Sequence, residues 1–149
     1  MKYLIPTLSI LFFVACSKTN PIPPKEDISN HYVNREFLQH VNFHGKEVIP
    51  IKIKDKFYYI RQDGKIIETL TFDGKPDKFS DGLARTRING KIGFFNRNLE
   101  IVLKPIYDFA FPFHNGIAEI CMGCKESSDG LLDGGRWEKI NREGLVIQQ

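Results

Sequence analysis

The phrase Phe79-Ser80-Asp81-Gly82-Leu83-Ala84 returns as Phe113-His114-Asn115-Gly116-Ile117-Ala118, 34 residues further on. Each copy leads to a Gly-basic pair, Gly90-Lys91 and Gly135-Arg136, and then to an aromatic-rich apolar run. Self-similarity at a near-constant period means a chain built of supersecondary units. Such units cannot bury their apolar faces alone, so they stack. The copies extend outward. Residues 55–60 align with residues 90–95, and Phe72-Asp73 aligns with Tyr107-Asp108, both at an offset of 35. A third copy, residues 135–142, follows Gly90 by 45 residues. The extra length falls in residues 121–134, which read as a loop-like insertion. Residues 45–50 match the second half of a unit only. The chain therefore holds two full units and two partial ones.

Within the units the pattern is strand and tight turn. Asp63-Gly64 separates residues 56–61 from 65–72, and Asn89-Gly90 separates 83–88 from 91–96. Both dipeptides suit type I′ turns, whose two central residues need positive φ. A further strand is predicted over residues 100–103, stopped by Pro105. The next hairpin runs from 116–120 to 136–140 and closes through Arg142-Glu143-Gly144 into 145–148. A short helix fits residues 27–39, with Ser29 as its cap. No other stretch keeps a 3.6-residue apolar period. The predicted fold is all-β, an antiparallel meander of repeated hairpins over residues 31–149. Gly82 and Gly116 are expected to permit a turn or bulge before the strand. Phe79, Phe94, Tyr107, Phe113 and Trp137 are expected to fill the core between hairpins. Asp73 and Asp108 are expected to bond backbone amides beside their aromatic neighbours.

These units resemble the WG, or KWG, repeat of bacterial proteins. The family form is Tyr-Asp, then Pro-Phe-Ser-Glu-Gly-Leu-Ala, then Gly-Lys-Trp-Gly-Phe-Ile-Asp, then Gly-Lys-x-Val-Ile-Pro. Here the matching residues are 79–84, Gly90-Lys91-Ile92-Gly93-Phe94-Phe95-Asn96, 100–105, Tyr107-Asp108 and Pro112-Phe113-His114-Asn115-Gly116-Ile117-Ala118. The resemblance covers residues 43–149. Ile92 stands where the signature has Trp; in the last unit Trp137 is kept and Glu138 replaces the Gly. The resemblance implies a binding or interaction repeat, with no enzymatic activity or cofactor to carry over.

The N-terminus reads differently. Lys2 precedes a short apolar stretch, residues 3–14, too short to span a bilayer as a helix. Phe13-Val14-Ala15-Cys16 then resembles the lipobox of bacterial lipoproteins, with Phe13 in place of the usual Leu. That resemblance implies a signal peptide over residues 1–15 and a diacylglyceryl, N-acylated Cys16 carrying palmitate-type chains. An ordinary secretory signal, or a buried apolar N-terminal strand, is the alternative. Residues 16–30, with Pro21-Ile22-Pro23-Pro24, read as a tether. Ser17 follows the cysteine where an inner-membrane retention signal in enteric-type bacteria would place Asp. The implied address is the outer membrane, facing the periplasm.

Charge limits the partners. The 21 basic and 18 acidic residues nearly balance, and no basic run marks a nucleic-acid footprint. The one chemical motif is Cys121-Met122-Gly123-Cys124. It fits a redox dithiol, half a zinc site or a small structural disulfide. A secreted address favours the Cys121–Cys124 disulfide. Free thiols and a metal site, with His114 as third ligand and Asp129 or Asp133 as additions, are the alternatives. There is no Gly-x-Ser-x-Gly, no His-Glu-x-x-His and no phosphate-cradling loop. His31, His40 and His44 read as surface residues. The expected function is a membrane-anchored, non-catalytic envelope module that binds an envelope protein or glycan, with no cofactor and no resident metal. The alternatives are a small redox or metal-dependent factor centred on Cys121 and Cys124, or a purely structural envelope lipoprotein.

Overall fold

The computed structural model describes residues 31–148. The predicted signal peptide, the lipidated Cys16, the tether and Ser29 lie outside those residues. The helix is shorter than predicted. It is α1 (Arg35–Gln39), capped by Asn34, whose Oδ1 accepts the Phe37 N–H at 2.7 Å. Everything after it is strand and turn. The first antiparallel sheet is β1 (Val48–Ile53), β2 (Lys56–Arg61) and β3 (Ile66–Thr69) in that order. A small hairpin follows, β4 (Thr71–Phe72) with β5 (Lys75–Pro76). The second sheet is β6 (Leu83–Ile88), β7 (Lys91–Asn96) and β8 (Ile101–Tyr107). The chain continues through β9 (Phe109–Ala110), β10 (Ile117–Met122), β11 (Lys125–Glu126), β12 (Leu132–Asp133) and β13 (Arg136–Asn141). The third sheet has the order β13-β10-β9, and β11 with β12 forms a hairpin inside what the sequence suggested was a loop. Among the described residues, no helix is long and apolar enough to cross a membrane.

The repeated phrase is a type I′ turn. Asp81 and Gly82 have φ of 51° and 79°, as do Asn115 and Gly116. Ser80 and Leu83 exchange backbone hydrogen bonds of 2.8 and 3.0 Å, and His114 and Ile117 exchange bonds of 2.8 and 3.1 Å. The two turns are joined. The Gly116 N–H donates to Asp81 Oδ2 at 2.7 Å, and the Ser80 hydroxyl donates to the Phe113 carbonyl. Turn therefore sits on turn, which fixes how one unit lies on the next. Asn89-Gly90 is also type I′, as predicted, with φ of 51° and 79°.

Asp63-Gly64 forms a different turn from the one predicted. Only Gly64 has positive φ, at 91°. The Gly64 N–H reaches the Arg61 carbonyl, and the Arg61 N–H the Lys65 carbonyl, both at 2.9 Å. This is a three-residue loop ending in a left-handed residue. The same geometry recurs at Asn141 to Leu145, with Gly144 at 81°, and at Asn96 to Glu100, with Leu99 at 56°. A leucine thus holds a position that its two counterparts give to glycine. It is almost fully buried, with Tyr59, Ala84 and Phe95 as core neighbours. Left-handed backbone costs an L-residue about 1–2 kcal/mol, whereas truncating a buried Leu costs about 2–5 kcal/mol. Packing wins. Leu99→Gly is expected to lose about 2 kcal/mol, and Leu99→Ala at least as much, because alanine keeps the strain and loses most of the contacts. Urea unfolding of both variants checks the order; an alanine variant clearly more stable than the glycine one would show that strain is unimportant there.

Burial explains the uneven sequence patterns. The middle sheet is covered on both sides, so Ile92, Gly93, Phe94 and Phe95 of β7 are all buried and read as one apolar run. Phe94 joins Leu83, Tyr107 and Phe113 in the core toward the third sheet. Phe95 joins Tyr59 and Ile67 in the core toward the first. β10, the central strand of the third sheet, is nearer to alternation. Pro105 does not end its strand. β8 runs through it, with register shifts against β7 between Ile92 and Phe95. β8 is an edge strand, where the missing N–H of proline is tolerated.

Candidate functional site

With β1–β3 as the first unit, a groove of about 720 Å³ opens between the second (β6–β8) and the third (β9, β10 and β13). The β4–β5 hairpin, the edge strand β6 and the segment through β9 wall it. Its aromatic wall is Phe72, Phe109 and Phe111; Phe72 is 71% exposed and Phe111 46%. The Phe109 and Phe111 rings meet edge-on at 5.0 Å, and Trp137 lies 6.0 and 6.2 Å from them. The aromatic strip therefore continues from the groove across the outer face of the third sheet. Beneath the groove lies a buried ion pair. Asp77 Oδ2 accepts the Arg85 backbone N–H at 2.9 Å and Nε at 3.0 Å, and Oδ1 accepts Nη2 at 2.8 Å. Arg85 Nη1 reaches on to the Ala110 carbonyl at 2.8 Å. The two charges thus bind linker, second unit and third unit together. A smaller crevice of about 530 Å³ separates the first and second units. Tyr58 and the Lys56–Glu68 ion pair, 2.9 Å, line it together with Thr86, whose buried Oγ1 has no hydrogen-bond partner among the described residues.

The aromatic residues named from the sequence divide. Phe94, Tyr107 and Phe113 are core, as expected. Phe79 is half-buried; its ring lies 4.7 Å from Tyr59, with the Arg97 guanidinium 4.6 Å above it. Trp137 does not fill the core. It is 38% exposed and faces away from the middle sheet, opposite Cys121. The equivalent residue of the second unit, Ile92, is fully buried because the third unit covers that face. Among the described residues no fourth unit covers Trp137. Asp108 does bond a backbone amide, though not in its own turn. Its Oδ2 accepts the Gly123 N–H at 2.6 Å and its Oδ1 the Lys91 ammonium. The Lys91 hydrogen bond, then that of Gly123, holds the Asp108 carboxyl below the usual range. Asp73 sits at positive φ in the β4–β5 turn, with no side-chain bond among the described residues.

The cysteine pair departs from expectation. Cys121 and Cys124 are free, buried thiols, and no bridge joins them. Gly123, at φ 82°, turns the chain between them, and Gly135 closes over them. A Cβ there would lie 2.7 Å from Cys121 Sγ and 2.4 Å from the Cys124 nitrogen. Burial, then the hydrogen bond with Cys121, pushes the Cys124 thiol up to about 11. A thiol so shifted keeps its proton at neutral pH and is a poor nucleophile. His114 sits in the turn before β10, whereas Cys121 lies near that strand's far end. The two do not converge. Asp129 is taken by the Ser127 hydroxyl, and Asp133 lies in β12. Among the described residues, no three His, Cys, Asp or Glu side chains lie together as metal ligands. Native protein at neutral pH should therefore react slowly at this pair with a disulfide reagent, and unfolded, unreduced protein should show both thiols. Finding neither after unfolding would mean that the pair is bridged.

Sequence reasoning did not find Phe72, Phe111, Asp77 or Arg85. The one available signal was an arginine inside the otherwise apolar opening of β6, Leu83-Ala84-Arg85, which calls for a buried acidic partner.

Residues 92–125 match the family described as the WG containing repeat. No curated protein and no solved structure matches the chain. The matched segment begins at Ile92 in β7 and ends at Lys125 in β11. It therefore spans the junction between the second and third units.

Proposed function

From a WG repeat-containing protein as the premise, we propose a non-catalytic interaction module held at the bacterial outer membrane through Cys16 and facing the periplasm. The observation that carries the binding role is the aromatic strip formed by Phe72, Phe111 and Trp137 beside the groove. Monomeric proteins rarely expose large contiguous apolar patches without a use for them. The stacked units beneath are rigid, and the buried pair Asp77–Arg85 holds the groove walls in place, so the strip is presented ready-made. The partner class is an envelope protein or glycan, and binding needs no cofactor. The tether role is supported by the order Lys2, apolar stretch, Ala15-Cys16 and Pro-rich spacer. Several acyl chains on one cysteine anchor firmly, whereas one chain binds a bilayer only marginally.

Two measurements on cells test this. A photo-crosslinking amino acid at position 111 should give a discrete adduct in the native envelope, and the same probe at exposed Val102, on the far edge strand β8, should not. Cys16→Ser should leave the protein unanchored or its precursor uncleaved. Absence of any adduct from positions 72, 111 and 137 would sink the binding role. A wild-type protein found soluble with an unmodified N-terminus beyond Cys16 would sink the anchor.

A further inference from the structure

We propose that the groove between the second and third units binds an acidic polypeptide segment in extended conformation, bonded to the free backbone groups of Arg87 on the edge of β6. This deepens the interaction-module reading and rests on it.

The first support is the backbone. β6 is the edge strand of the middle sheet. Its outward-pointing residues are Leu83, Arg85 and Arg87, alternating with those bonded to β7. Leu83 exchanges bonds with Ser80. Arg85 gives its carbonyl to the Leu70 N–H at 3.1 Å and its N–H to Asp77 at 2.9 Å. Arg87 comes next on the same edge, and its N–H and C=O have no partner among the described residues. Arg87 thus offers one free donor and acceptor pair to an extended segment, and it lines the groove.

The second support is charge. With Asp77 and Arg85 neutralising each other, the groove carries Lys75, Lys78 and Arg87 against Asp73 alone. A cationic rim over aromatic walls complements a segment whose alternate side chains are carboxylates and apolar groups. A strand presents that alternation to its two sides.

The test uses full-length protein in detergent micelles. The probes are two blocked octapeptides, alternating Val-Glu and Val-Lys. Readouts are backbone amide NMR shifts and the fluorescence of Trp137, the only tryptophan in the chain. Expected is saturable binding of the Val-Glu peptide with shifts at Arg87 and Phe72, at least tenfold tighter than Val-Lys and weakened by salt. The triple variant Lys75→Glu, Lys78→Glu, Arg87→Glu should reverse the preference between the peptides. Phe111→Ser, at an exposed position, should weaken binding at least tenfold. Equal affinity for the two peptides, no binding at millimolar concentration, or shifts away from Arg87 would overturn the proposal. So would binding of anionic phosphatidylglycerol vesicles through the groove with no binding of the Val-Glu peptide. If the peptides fail while the crosslink from position 111 persists, the interaction role stands and the acidic-strand ligand falls.

Discussion

Asp77→Ala is expected to be among the most damaging single substitutions in this protein, with a loss of about 3–5 kcal/mol. The reason is asymmetry. Arg85 is buried and makes three hydrogen bonds to the Asp77 carboxylate. Removing the carboxylate leaves a guanidinium in the interior that cannot deprotonate, together with an unpaired backbone N–H. A domain of this size is stable by only about 5–15 kcal/mol, so a large share disappears at one position. Urea unfolding followed by Trp137 fluorescence measures it. The double variant Asp77→Ala, Arg85→Met should recover part of the loss, because a matched apolar replacement of a buried pair can be nearly neutral. A single-variant loss below about 1 kcal/mol would mean that the pair is exposed or dispensable in solution. The same substitution also reports on function. Arg85 reaches from the second unit to the Ala110 carbonyl beside the aromatic wall. Loosening it should displace Phe109 and Phe111 and weaken any ligand in the groove.

The contrast between Asp77 and the type I′ turns shows which parts of such a molecule can be read from a sequence. Asn89-Gly90, Asp81-Gly82 and Asn115-Gly116 are local devices. Their conformation is written in two residues, and the hairpin that Asn89-Gly90 closes falls at residues 83–88 and 91–96 as predicted. Leu99 marks the limit of that logic. A left-handed leucine cannot be recognised locally, because its strain is offset by packing against residues such as Tyr59, far away in the chain. Trp137 and Ile92 occupy equivalent places in two copies, yet one is surface and the other core. The difference lies in whether another unit covers that face, and periodicity carries no such information. The groove is harder still. It is assembled from the β4–β5 hairpin, β6 and β9, and no motif says that these three come together. The cysteine motif, by contrast, was conspicuous and misleading. Both thiols are buried, and the Cys121 sulfur packs beneath Gly135 as a small apolar group.

Gly93→Ala is expected to cost about 3 kcal/mol, near the upper end for one added methyl in a packed interior. Gly93 is not a turn glycine, and its φ is not positive. Its role is to let two backbones approach. A Cβ there would lie 2.7 Å from the Leu103 carbonyl oxygen, 2.7 Å from the Pro105 nitrogen and 2.9 Å from Pro105 Cα. All three atoms belong to the β8 backbone, so no rotamer change relieves the clash. The β7–β8 register shift sits at this point, which is how β8 continues through Pro105. Displacing β8 would move Leu103 and Tyr107 out of the core they share with Phe94 and Phe113. Two controls separate this account from a general intolerance of glycine replacement. Gly90→Ala, where nothing lies within 4 Å but φ is +79°, should cost only about 1 kcal/mol of backbone strain. Pro105→Ala added to Gly93→Ala should not restore stability, because the backbone nitrogen and Cα at position 105 remain where they were. The third unit supplies the natural comparison. Glu138 holds the matching position in β13, whose ladder partner along its length is β10. Among the described residues, the segment after β13 returns against it through Leu145, Val146 and Ile147, bonding at Asn141 and Lys139 and not at Glu138. If Gly93→Ala unfolds at the same urea concentration as the wild type, β8 does not lie this close to β7, and the glycine of the Trp-Gly signature serves some purpose other than backbone approach.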